Sequence, residues 1–236
     1  MKMDNKTALG VIIVLMVSIL AMAMVSAQPL GATLTEGADE RGTDPTVNSV
    51  VAGGGNTTPL NLDQTAITSI WQGFYGNVTG GITLDDGAAN AFYDWTLASV
   101  SGEILATRFQ VADWSQVNCT NSTQWETEET ALSITSTATD GVNETFNETT
   151  HTTFTIGTSS TLTGCRSTQA YDNTGAGAYW NVLTNVNDTT VVYVAIINDD
   201  AAAFNGGGTS TADYEILVPV NTGSGIATYY FYAELD

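Results

Sequence analysis

The chain has 236 residues and sets 25 acidic side chains against 5 basic ones, for a formal net charge of −20. A polyanion has the wrong sign to bind nucleic acid or an anionic lipid surface by counterion release, so those partners are excluded. Cations are attracted instead, yet no D-x-D-x-D-G loop is present; Ca2+ affinity has no motif behind it, and no other cofactor is implied.

In chain order, Lys2 and Lys6 precede an apolar run from Ala8 to Val25, followed by Val25-Ser26-Ala27 and Gln28-Pro29. Residues 1–27 read as a secretory signal peptide, with small residues at the minus-three and minus-one positions. The run is also about as long as a minimal membrane helix, so a retained anchor is the rival reading. A type IV pilin leader fits less well: the basic-small cleavage pair is missing, and Pro29 and Gly31 stop any helix. Once the leader is cleaved no membrane segment remains, and Arg41, Arg108 and Arg166 are the only basic residues.

Residues 28–58 are poor in aromatics, rich in Gly, Thr and Asp, and run into Gly53-Gly54-Gly55-Asn56. They read as an extended arm or linker ahead of a β-domain over 59–236. In extended form Val47, Ser49 and Val51 share one side, which suits strand donation into a neighbour's groove through main-chain hydrogen bonds. A disordered spacer accounts for the same composition.

The first dense strand signal is SIWQGFYGNVTG, residues 69–80. In a regular strand Trp71, Gly73, Tyr75 and Asn77 face the same way. Asn77 can carry a sugar only if it faces solvent. Either the glycines insert a bulge that resets the register and buries the rings, or the strand is regular and Trp71 and Tyr75 form a contact surface. On general burial preferences Trp71, Tyr93 and Trp95 read as core aromatics. Ile82 and Leu84 are then expected to point inward, in a three-strand meander completed by AFYDWTLA and EILATR.

WQGFYGNVTG followed by ITLDD, FYDW and GEILATR resembles a recurrent pattern in secreted archaeal surface proteins that carry a W-Q-G-[FY]-x-G-N-V block. The resemblance covers mainly residues 60–117, and the carboxyl-terminal YYFYAEL fits it too. It implies an archaeal exported surface protein and transfers no catalytic residue. In layout alone, the chain is similar to archaeal pilins whose amino-terminal arm completes the sandwich of the next subunit.

Residues 118–163 are dominated by Thr, Asn, Ser and Glu, with isolated Trp125, Phe146, Phe154 and Ile156, and read as a decorated excursion bracketed by Cys119 and Cys165. In an exported chain these two cysteines pair, removing about 3 to 4 kcal/mol of unfolded-state entropy. Two lone cysteines and one histidine fall short of a four-ligand metal site. Helix signals are few, at Val111–Val117 and Thr127–Leu132.

Strands resume near Ala178. VVYVAII, residues 191–197, is apolar on both faces and reads as a central strand covered above and below. Tyr214 to Val220 and Ala227 to Leu235 alternate with period two and are expected to form a hairpin through Asn221-Thr222-Gly223-Ser224-Gly225. Short strands, β-branched and aromatic residues and glycine-rich turns together give an all-β fold, a single sandwich with a jelly-roll layout as one option.

N-x-T sequons beyond the leader stand at Asn56, Asn77, Asn118, Asn121, Asn143, Asn147 and Asn187. They make N-linked glycans the expected decoration. His151 sits among threonines, and neither Ser159 nor Ser160 lies in a G-x-S-x-G elbow, so no hydrolase triad is expected. Asp85-Asp86 and Asp199-Asp200 read as turn residues. Gly206-Gly207-Gly208 lacks the following Lys of a phosphate loop. The expectation is a non-enzymatic surface glycoprotein that forms a homopolymer, filament, pilus or layer outside the cell; a monomeric adhesin or carbohydrate-binding module is the alternative.

Overall fold

The computed structural model describes residues 28–88, 90–96, 99–159, 161–205 and 210–235. The leader at 1–27, Ser160 and Gly206-Gly207-Gly208 lie outside the described residues.

Thirteen strands and two helices are named in chain order: β1 Leu30–Gly31, β2 Trp71–Gly76, β3 Gly81–Asp85, β4 Ala91–Thr96, β5 Gly102–Thr107, β6 Val117–Cys119, α1 Ser122–Ala131, α2 Val142–Thr145, β7 Ser167–Tyr171, β8 Gly177–Val186, β9 Thr190–Ile196, β10 Ala201–Ala202, β11 Thr211–Ala212, β12 Tyr214–Pro219 and β13 Tyr230–Leu235. The main sheet runs β1-β13-β5-β9-β8, and β6 and β7 share the far edge of β8. Every pairing in it is antiparallel.

The doubly apolar strand sits where its pattern requires. β9 lies between β5 and β8, and Val191 to Ala195 are all buried. On one face Ala106, Leu183 and Tyr193 pack beneath Ile216 and Val218 of a second layer, the antiparallel β2–β12 ribbon, with Leu132 and Phe146 beside it. On the other face Leu105, Val182, Val192 and Val194 pack beneath Trp114, Phe154, Ile156 and Leu162. The fold is therefore all-β and sandwich-like, with a ribbon over one face of the main sheet and irregular chain over the other. Asn181 joins the layers: its amide donates to the Glu215 carbonyl and accepts the Leu217 N–H, both at 2.9 Å. Gly102 opens β5 at φ +118°, where a side chain would run into the Glu234 carbonyl.

Several local expectations give way to long-range pairing. β12 and β13 do not form a hairpin: β12 pairs with β2, and β13 with β5 and β1, so the turn at 221–225 carries the chain between layers. The meander does not form either, because β3 and β4 pair with each other while β5 goes into the main sheet. Residues 111–117 are not helical, and Trp114 anchors that segment in the core; the helix expected over Thr127–Leu132 does form, as α1, and starts earlier, opened by a capping box between Asn121 and Gln124.

The stretch between the cysteines is more than decoration. It supplies α1, α2 and the buried side chains Phe146, Phe154, Ile156 and Leu162. At roughly 1.5 to 3 kcal/mol each, their gross burial outweighs the entropy that one disulfide removes. The disulfide itself forms, with Cα atoms 5.0 Å apart. It joins the end of β6 to the residues before β7, so both short strands are stitched along the same edge of β8.

Candidate functional site

With few cations available, the fold uses Arg108 and Arg166 internally. Arg108 grips the buried Glu128 of α1 with two parallel hydrogen bonds, Nε at 2.6 Å and Nη2 at 2.7 Å, and the carboxylate holds the guanidinium pKa above its usual value. Arg166 lies 4.8 Å over the Trp125 ring and donates to the Phe146 carbonyl and to Asn143 Oδ1. Arg41 pairs with Asp44 on the surface. The body therefore offers a partner acidic and apolar surface.

The opening motif resolves its own alternative. β2 pairs with β12 in unbroken register from Trp71 to Gly76, so no bulge occurs. Tyr75 and Asn77 face outward, as a regular strand requires. Trp71 does not accompany them: its ring turns onto Phe146 and Tyr193, and Nε1 donates to the Asp140 carbonyl at 2.6 Å. Of the expected contact pair only Tyr75 is on the surface, stacked edge-on against Phe204 with its hydroxyl accepting from Asn205.

The largest departure is the β3–β4 hairpin. Ile82 faces Trp95 and Leu84 faces Tyr93 in the register, which places all four side chains on one side of the two strands. They do not point into the core. Their exposures are 60%, 48%, 51% and 57% in that order, and the Tyr93 and Trp95 rings touch at 4.8 Å between centroids. The turn beyond them is acidic and locked: Asp86 accepts from the Ala88 and Asn90 N–H groups and the Asn90 amide, and the Asn90 side chain does most to hold its pKa below the usual carboxylate value.

The arm splits in two. Pro29 is buried and β1 lies along β13, whereas Val47, Ser49 and Val51 are exposed, the two valines at 98% and 101%. From Ala32 to Ser69 the chain contains no strand.

Of the sequon asparagines, Asn56, Asn77, Asn118, Asn121, Asn147 and Asn187 are exposed. Asn118 lies in β6, Asn121 caps α1, and the Asn187 N–H donates to Gln116, so these three gather at one end of the β6 edge. Asn143 is half-buried with its amide against Glu144 and its carbonyl oxygen against Arg166.

Groups that could carry chemistry are engaged in structure. His151 donates from Nδ1 to the Thr152 carbonyl, and Nε2 accepts the Cys165 N–H at 3.0 Å. Ser159 Oγ accepts the Ile156 N–H. Asp199, Asp200 and Asp213 bring carboxylate oxygens within 4.8 Å of one another, a cluster that a hard cation could use. Both oxygens of Asp213 already accept backbone N–H groups, Val78 at 2.6 Å and Asp200 at 3.1 Å, so the cluster serves to hold the β10–β11 hairpin against the end of β2. The residues of the hairpin face are ones expected in the core; Asp85-Asp86-Gly87, closing a strand pair of its own, is the sequence signal that sets the hairpin apart.

Comparison with family models, with curated proteins and with solved structures finds no match. Among the described residues no helix is long and apolar enough to cross a membrane.

Proposed function

We propose that this chain is a structural subunit of an extracellular, archaeal-type surface assembly, a filament, pilus or layer, N-glycosylated on its outer side and joined by its amino-terminal arm. The observation that carries the reading is the arm itself. A domain that buries most of the apolar residues of β5, β8 and β9 leaves Val47 and Val51 wholly in water. Burying an exposed valine is worth roughly 1.5 kcal/mol or more, so such a segment gains from a partner. The gathering of Asn118, Asn121 and Asn187 at one end of the β6 edge supports an outer, sugar-bearing side.

The test is deletion of residues 33–58, which spares β1. The intact protein is expected to form fibres or ordered arrays by electron microscopy, and the deleted protein to remain dispersed; fibres from the deleted protein would sink the arm mechanism. A second reading, a monomeric adhesin or carbohydrate-binding module, is favoured by the exposed Tyr75–Phe204 pair, since aromatic faces anchor interfaces. Glycan binding lost in Tyr75→Ala by a protein that stays monomeric would select it.

A further inference from the structure

We infer that the apolar face of the β3–β4 hairpin is the seat for the uncharged arm segment, centred on Val47, Val50 and Val51, of a second copy of this chain. This rests on the assembly reading above and names its acceptor. A two-stranded hairpin alone in water is marginal, and a third strand or a cover over its apolar face is what makes such a pair stable. Here Ile82, Leu84, Tyr93 and Trp95 form that face, and among the described residues neither strand pairs with any other strand.

Charge selects the occupant. The hairpin carries Asp85, Asp86 and Asp94, and the chain as a whole stands at −20, so most of another copy's surface is repelled. Residues 46–62, TVNSVVAGGGNTTPLNL, contain no charged side chain, and they hold Val47, Val50 and Val51 out in solvent. This stretch can meet the hairpin without bringing like charges together. It also needs no unfolding to do so, because it hangs between two anchors, β1 on β13 and the buried Ile70 before β2.

The two surfaces lie on different parts of the chain, so the contact is head-to-tail, and each copy that docks presents a fresh seat. Such contacts propagate into open filaments unless their rotation closes a ring.

Two exposed positions test the contact without touching the core, Leu84→Lys on the seat and Val51→Glu on the arm. Sedimentation velocity of the purified protein over a hundredfold concentration range is the readout, with melting temperature as the check that both variants fold. The expected result is that the unaltered protein assembles, each variant alone stays monomeric, and an equimolar mixture stops at dimers, because one variant keeps only a good arm and the other only a good seat. If the unaltered protein assembles and either variant assembles equally well, or the mixture yields no dimer, the seat is elsewhere and the assembly reading survives. If the unaltered protein is monomeric throughout, both fall together.

Discussion

Glu215 is a buried carboxylate on β12 whose Oε1 accepts the Phe204 N–H at 2.9 Å. Burial pushes its pKa above the ordinary 4.5; the Phe204 hydrogen bond opposes this and Asp172 adds to it. Because the folded-state pKa is raised, the stability tied to the protonated form is fully present below the unfolded value and is lost as pH rises through the folded one. Glu215→Gln keeps an acceptor oxygen and removes the ionisation. Calorimetry from pH 4 to pH 7 should therefore show the variant gaining on the unaltered protein as pH rises, and parallel profiles would contradict this account. Arg108 and Glu128 behave differently, because each satisfies the other. Arg108→Ala strands a buried carboxylate and should cost roughly 3 kcal/mol in urea titration, whereas Arg108→Met with Glu128→Leu should recover most of that. Neither pairing was legible in sequence. Arg108 and Glu128 are separated by a strand, a loop and part of a helix, and only the docking of α1 on the sheet brings them together.

At the scale of elements, the disulfide and the helix cap separate staple from packing. Replacing Cys119 and Cys165 by serine should lower stability by about 3 to 4 kcal/mol while leaving the far-ultraviolet circular dichroism unchanged, since Phe146, Phe154, Ile156 and Leu162 hold the excursion by burial. An unfolded double variant would show that the staple, and not the packing, orders the segment. Asn121 serves twice: its Oδ1 caps α1 by accepting the Gln124 N–H, while Nδ2 is the atom a glycan would occupy. Thr123→Ala should remove the sugar and keep the cap, whereas Asn121→Ala removes both and costs about 1 kcal/mol more. Mass spectrometry paired with thermal melts distinguishes the two. The β3–β4 hairpin shows where element-level reading failed. Alternation identified both strands and the shared face of Tyr93 and Trp95, but a period of two says only that one face differs from the other. It is silent on whether the apolar face meets this chain or another.

For the molecule as a whole, the two edges of the main sheet are treated unlike each other. Along β8 the edge is closed by β6 and β7, stitched by the disulfide and flanked by sequons, whereas among the described residues the edge at β13 carries only the two residues of β1. The sequence by itself determined the all-β class, the central place of β9 and the pairing of Cys119 with Cys165. Each of these follows from composition or from a local pattern of burial. Only the tertiary structure decided that β12 and β13 part into different layers, that Trp71 turns inward while Tyr75 does not, and that Ile82, Leu84, Tyr93 and Trp95 face solvent. Strand partnership is set by which distant segments can cover one another, and that competition is won across the whole chain.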